Sequence, residues 1–409
     1  MMLFEDAAAQ VMARCDELGN ISQSLQHLDR RYLTEQHRHA NQLVAHWMAE
    51  TEMDSWVDAA GNVWGRYASD VPDAPRLILG SHLDTVPNGG RYDGMLGVVA
   101  PISLLAILKG QQVKLPFHVD VVGFGDEEGT RFGSTLLGSR ALTGTWPDEW
   151  AKLTDSDGKS LAKALLEFGL DFSRIKEAAI APAQLLGYVE LHIEQGPVLE
   201  QQNLAVGVVS GIAGARRFEI ALSGMAGHAG TVPMNMRQDA LCAASEMILC
   251  VEQLAIQHAL VATVGKISNR PNGVNVIAGN TSFSLDIRSE SDALRDATVD
   301  EIFTCFQQIA QRRGVSLQIQ QTHSAPAVLC SEFLQQNLRN AVAGCGYPVL
   351  TLPSGAGHDA MAMADICPVA MLFTRCHRGI SHHPDEAIRQ DDVAVSLQVL
   401  HRFLTQLKF

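Results

Sequence analysis

The sequence predicts an α/β fold, a mostly parallel sheet with helices on both faces, interrupted by an inserted α+β unit. Three observations predict it. Short apolar runs alternate with helix-length segments up to about residue 207, the rhythm of βαβ units. From there to about 325 the texture changes to alternating strands flanked by two long helical stretches. After 325 the βα rhythm returns. The outer domain is thus read as 1–209 with 325–409, and the insertion as 210–324. A chain of 409 residues is too long for one core and suits two.

Residues 34–53 place Leu43, Val44, Trp47 and Met48 at helical spacing. RLILG at 76–80, FHVDVVGFG at 117–125 and YVELHI at 188–193 read as buried strands, with VVAPISLLAILKG a buried helix between the first two. VGVVSGIAGARRFEIALSG reads as extended, and FEIALS alternates with period two. ALVATVGKIS and VNVIAGNTSFSLDIRS supply further strands, with a turn at Ala278-Gly279-Asn280. Helices flank them at 236–258 and 292–313, which predicts two helices on a four-stranded antiparallel sheet. CPVAMLFTR is the last strand and DDVAVSLQVLHRFLTQL the closing helix.

Hydrophobic residues make up 46% of the chain and charged residues 19%, as in an ordinary globular protein. A net charge of −14 argues against a nucleic-acid or membrane-surface partner, which would need clustered Lys and Arg. The eight Cys form no CxxC pair, so reduced thiols and a cytoplasmic location are expected. The start, MMLFEDAAAQ, lacks the basic-then-apolar order of a secretion signal, and no apolar run is read as membrane-spanning.

Four polar clusters follow apolar strands: His82-x-Asp84 with Asp93, GDEEG with Glu127 and Glu128, HIEQG with His192 and Gln195, and ISHHP with His382 and His383. In a parallel sheet, ligands bind at the carboxyl ends of strands, where these clusters fall. Imidazole and carboxylate together suit zinc, manganese or another first-row ion. A bridging carboxylate with two ligand pairs would hold two ions, able to activate a shared water and polarise a carbonyl.

The stretches GSHLDTVPNGGRYDG, GDEEGTRFGSTLLGS, ELHIEQGPVLE, GHAGTVPM, RPNGVNVIAG, DIRS, SGAGHDA and ISHHP run in order from about residue 60 to 386. Together they resemble the di-metal amidohydrolases related to aminoacylase and carboxypeptidase G. Within that group the chain is similar to the branch acting on carbamoyl and ureido compounds: allantoate amidohydrolase, N-carbamoyl-L-amino-acid hydrolase and β-ureidopropionase. The resemblance implies a di-metal catalytic domain and an inserted dimerisation domain. It implies two divalent ions per subunit, Zn2+ or Mn2+, held by His82, Asp93 as the bridge, Glu128, His192 and the histidine of ISHHP. The relatives' Ser-His-Asn-Pro register points to His382, with His383 beside it as the alternative. Asp84 resembles the acid that orients His82, and Glu127 the general base.

The same resemblance implies that His228 stabilises the oxyanion from a partner subunit of a homodimer, and that Asn275 and Arg288 grip a substrate carboxylate. Gln195 and His358 resemble further pocket residues. In Arg216-Arg217, consecutive strand residues face opposite ways, and Arg217 matches the inward family position. An Arg-Arg pair resembles the allantoate enzymes. The implied reaction is hydrolysis of allantoate to ureidoglycine, ammonia and carbon dioxide, a step of purine catabolism. The alternative is an N-carbamoyl-L-amino-acid hydrolase. A binding protein that had lost its chemistry should lack a ligand or the base, yet all those positions are filled. A true exopeptidase is disfavoured because many peptidase relatives carry an acid where His192 stands.

Overall fold

A computed structural model describes residues 2–408. The first strands are β1 (Asp54–Val57), β2 (Val63–Tyr67), β3 (Arg76–His82), β4 (His118–Phe124), β5 (Leu185–Ile193) and β6 (Val206–Ile212). Then come β7 (Gly214–Ser223), β8 (Gly227–His228), β9 (Val261–Thr263), β10 (Ile267–Arg270), β11 (Val276–Ile277), β12 (Asn280–Ser289), β13 (Ser316–Ala325) and β14 (Val328–Leu329). The last are β15 (Thr351–Ser354) and β16 (Val369–Thr374). The chain divides into two units, one running to Ser210 and resuming at Cys330, the other Gly211–Leu329.

In the first unit the sheet order is β1-β2-β4-β3-β5-β16-β6, with β15 also paired to β6. The four middle strands, β4, β3, β5 and β16, are mutually parallel. The margins are antiparallel: β1 with β2, β2 with β4, and β6 with β16. In β3 and β4 every residue after the first is buried, and all of β16 is buried. Unbroken burial requires cover on both faces, which is why these strands read as continuous apolar runs. Helix Met95–Gly110 is buried almost all round and packs on β3, β4 and β5. Helices Met2–Gly19 and Gln390–Gln406 pack on it in turn. Leu77, Leu79, Val119, Val121, Val189 and Leu191 meet Val98, Val99 and Leu105 in one core. Each such side chain contributes roughly 1.5–3 kcal/mol through burial.

A smaller core gathers Tyr32, Leu33, Phe132, Leu137, Leu161 and Phe168. His37, on helix Glu35–Glu50, is buried beside it, its ring stacked on Phe168 at 5.1 Å. His37 Nδ1 accepts a hydrogen bond from the Leu33 amide at 3.1 Å. Burial, helped by Arg30, Arg38 and Arg131, pushes the imidazole down to about 3. An unfolded His titrates near 6.5, so below that pH the unfolded chain takes a proton the fold refuses. Stability is therefore lost as pH falls from about 6.5 towards 3. His37→Gln should flatten that loss. Urea unfolding at stepped pH checks it, and an unchanged acid slope would refute the assignment.

In the second unit the sheet order is β10-β12-β7-β13, with β9 also paired to β12, all antiparallel. Phe218, Ile220, Leu222, Phe283, Leu285 and Ile287 form its inner face, packed against helices Ala240–Gln257 and Asp292–Arg313. The alternation read in FEIALS is this face. Several expectations need correction. The single strand expected across ALVATVGKIS is two, β9 and β10, because the chain breaks pairing around Val264-Gly265. The sheet thus has five strands, not four. The turn at Ala278-Gly279 does not close a hairpin: β11 pairs with β8, and β12 joins the main ladder. Helix Ala240–Gln257 is long and apolar enough to cross a membrane by length and composition, contrary to the reading of the sequence. Ala243, Ala244, Met247 and Val251 explain this, since they are buried in the core of this unit. The sulfurs of Cys250 and Cys305, two of the expected thiols, meet because the two helices pack side by side and bring them together.

Candidate active site

The parallel middle strands end at one edge of the sheet, and the polar clusters sit there. His82 is the last residue of β3, Glu127 and Glu128 follow β4, and His192 lies near the end of β5. His382 follows β16 at the end of a longer loop. Asp93 arrives on the loop after β3 and lies at the centre.

Asp93 Oδ1 is 3.1 Å from His192 Nε2 and 3.7 Å from His82 Nε2. Its Oδ2 is 3.2 Å from His382 Nε2, which is 3.4 Å from Glu128 Oε1. Four groups of donors among the described residues lie close enough to hold an ion, and two of them, His82-Asp93-His192 and Asp93-Glu128-His382, share Asp93; the others are Glu190-His192-His358 and His82-Glu127-Glu128. His192 Nδ1 lies 2.9 Å from the Ile193 carbonyl, and His82 Nδ1 lies 3.0 Å from the Asp84 carbonyl. A carbonyl can only accept, so each Nδ1 carries a proton, which leaves each Nε2 as the nitrogen able to offer a lone pair to an ion. Asp93 Oδ1 and His192 Nε2 are buried and make no hydrogen bond despite facing each other. An imidazole nitrogen and a carboxylate oxygen aimed at one point can share a cation between them, so these residues fit a metal centre of nitrogen and oxygen donors. His383 lies outside it, half exposed, with Nδ1 3.7 Å from Asp385.

Gly94 adjoins the bridge with φ +76°, and a Cβ there would lie 2.5 Å from the His82 ring. Only glycine lets the loop turn that close to the ligand. Asp84 is fully buried, but the arrangement differs from a carboxylate gripping His82. Its carbonyl is the nearer acceptor, and its Oδ1 is 3.6 Å from His82 Nδ1. The carboxylate instead accepts the amides of Glu127 at 3.0 Å and Glu128 at 3.2 Å. One acid therefore fixes the β3 end against the turn that carries both glutamates. Burial holds the Glu127 carboxyl well above the usual range; His82 opposes this, and Glu128, Asp359 and Asp84 add to it. A carboxyl with a raised affinity for protons beside a metal site can accept and return one near neutral pH.

Gln195 and His358 sit in this unit too. Gln195 Nε2 donates to Asp93 Oδ2 at 3.1 Å, while its Oε1 is buried without a partner. His358 is buried, its ring 4.5 Å from that of His192, with Nε2 2.7 Å from Ser354 Oγ. Burial pushes its imidazole well down, so it is neutral. Two acids escaped the sequence reading. Glu386 accepts the amides of Tyr92 at 2.9 Å and Asp93 at 3.1 Å, and its other oxygen lies 3.1 Å from Ser381 Oγ. Ser381 Oγ is also 3.1 Å from Asp93 Oδ2, so Glu386 braces both the bridge and the loop bearing His382. Glu190 accepts from Ser81 Oγ at 2.7 Å and from the Ala360 amide at 3.1 Å. Its spacing of two from His192 on one strand was the available signal.

The remaining predicted residues lie in the second unit. His228 pairs with Val276 in the β8–β11 ladder, and the Ala229 amide donates to the Asn275 carbonyl at 2.9 Å. That ladder holds His228 and Asn275 as neighbours. His228 Nδ1 accepts from the Gly230 amide at 3.0 Å, so Nε2 is the nitrogen that carries a ring proton. Arg216 lies on the helix-covered face, 5.0 Å over the Phe218 ring and paired with Asp296. Arg217 lies on the opposite, open face and pairs with Asp286 Oδ2 at 2.8 Å, while Arg288 donates to both oxygens of that carboxylate, at 2.8 and 3.0 Å.

Residues 78–406 match the model of peptidase family M20/M25/M40. The chain is 39% identical to "Allantoate deiminase" of Arabidopsis thaliana, covering 97% of this chain and 81% of that one. It is 41% identical to "N-carbamoyl-L-amino acid amidohydrolase" of Geobacillus stearothermophilus, over 96% and 97% of the two. A crystal structure of an amidase of the hydantoinase/carbamoylase family from Burkholderia multivorans superimposes with a TM-score of 0.91 at 30% identity, covering 97% of each chain. The chain belongs to peptidase family M20/M25/M40 and to its amidohydrolase branch, enzymes that hydrolyse C–N bonds.

Proposed function

We propose that the chain hydrolyses a ureido C–N bond next to a carboxylate, with allantoate as substrate and ureidoglycine, ammonia and carbon dioxide as products. The observation that carries the choice of allantoate is Arg217, on the same open sheet face as Arg288 and sharing Asp286 with it. A guanidinium on this face can pair with a carboxylate or with a ureido oxygen, which suits a substrate with a carboxylate and two ureido arms. An apolar amino-acid side chain finds little to bury against it.

Zn2+ or Mn2+ ions held by His82, Asp93 and His192 and by Asp93, Glu128 and His382 would polarise the ureido carbonyl and acidify water. Glu127 takes the proton of the attacking water and returns it to the leaving nitrogen. Asp84 positions it through the Glu127 amide. His228 donates Nε2–H to the oxyanion, supplied by a partner subunit of a homodimer. Asn275 and Arg288 hold the substrate carboxylate, and Gln195 and His358 line the pocket. Similarity to a relative named for N-carbamoyl-L-amino acids supports a second reading, hydrolysis of those compounds.

The test is ammonia release from allantoate and, in parallel, from N-carbamoyl amino acids, by apo protein reloaded with manganese or zinc. Metal-dependent turnover of allantoate with Arg217→Ala raising its KM about tenfold or more supports the first reading. Preference for carbamoyl amino acids, with Arg217→Ala inert, establishes the second.

A further inference from the structure

Strand β13 follows the expected alternation through Gln321, which pairs with Phe218 and whose Oε1 accepts from Arg216 on the helix-covered face. The next pair is His323 with Arg217, so the register slips by one residue at Thr322. Without this bulge, Thr322 would stand opposite Arg217, and His323 would point to the helices. Bulges re-aim side chains in this way. The slip puts His323 on the open face, in one cross-strand row with Arg217 of β7 and Asp286 of β12. Arg288 stands two residues from Asp286 on that same face.

We infer that His323 is a further specificity residue of this face, binding the second ureido arm of the substrate beside Arg217. The inference rests on the function proposed above. Its chemistry follows from the two groups that flank Arg217 in the row, Asp286 and His323. Arg217 and Arg288 only donate, and Asp286 is already engaged by both. A ureido group offers a carbonyl oxygen and N–H donors. Arg217 can meet the oxygen, but the N–H groups need an acceptor. A neutral imidazole supplies one. Burial and the adjacent Arg217 push the His323 imidazole below its ordinary value, which keeps that lone pair available at neutral pH.

N-carbamoylglycine is allantoate without the second ureido arm, so the pair of substrates isolates this contact. The ratio of kcat/KM for allantoate to that for N-carbamoylglycine should fall about tenfold in His323→Ala, the worth of one lost hydrogen bond to a polar substrate group. The fall should lie in KM, not kcat. His323→Gln, which keeps an acceptor and a donor, should restore much of the ratio. A ratio unchanged in His323→Ala, or an equal loss for both substrates, overturns the inference while the proposed function stands. A wild-type protein that turns over neither substrate, or prefers N-carbamoylglycine, overturns the proposed function and the inference with it.

Discussion

Glu127→Gln should lower kcat by about 10³-fold while leaving metal content and substrate binding in place. The side chain keeps its size, and the main-chain amide that ties residue 127 to Asp84 is unaffected. What disappears is the ability to take a proton. Glu128, the adjacent carboxylate, cannot substitute, because it lies 3.4 Å from His382 in the second ligand set and is committed there. Three measurements together make the case: kcat by ammonia release, metal per chain by elemental analysis, and allantoate affinity by calorimetry. Turnover within about tenfold of wild type would remove Glu127 from the base role. Loss of metal along with turnover would show that residue 127 is a ligand and that the division of labour in GDEEG is misassigned.

What the sequence disclosed, and what it hid, follows from the range of the forces involved. Strands β3, β4, β5 and β16 were readable because burial on both faces demands an unbroken apolar run. Their polar ends were readable because a parallel sheet places its chemistry after such runs. The β8–β11 ladder was not, since two-residue strands are too short to carry a period. The break between β9 and β10 was hidden because Val264 extends the apolar pattern past the point where pairing stops. The meeting of Cys250 and Cys305, 55 residues apart, depends on the packing of two helices, which no local pattern reports. The bulge at Thr322 is a one-residue slip inside an otherwise regular strand, and it decides which face His323 serves. Glu386 was missed for another reason. It acts on backbone amides, and backbone partners leave no complementary residue type to notice.

Replacing the shared acid should have consequences that replacing its neighbours does not. Asp93→Asn should reduce bound metal from about two ions per chain to below one and lower kcat/KM by at least about 10³-fold. The amide has one oxygen where the carboxylate has two, and both are in demand. Oδ1 faces the lone pairs of His82 and His192, while Oδ2 accepts from Gln195 and faces His382. If the NH2 group points to the first side, it offers no lone pair to an ion there. If it points to the second, its hydrogens meet those of Gln195 Nε2. Neither rotamer serves both sides, and the negative charge between three imidazoles is lost in each. His383→Ala is the matched contrast. His383 adjoins His382 in sequence, yet its ring bonds to Asp385 and belongs to none of the ligand groups among the described residues, so that variant should keep its metal and its rate. Elemental analysis after dialysis decides the matter. Two ions retained in Asp93→Asn would mean that the bridge lies elsewhere. Metal lost in His383→Ala would transfer the last ligand position from His382 to its neighbour.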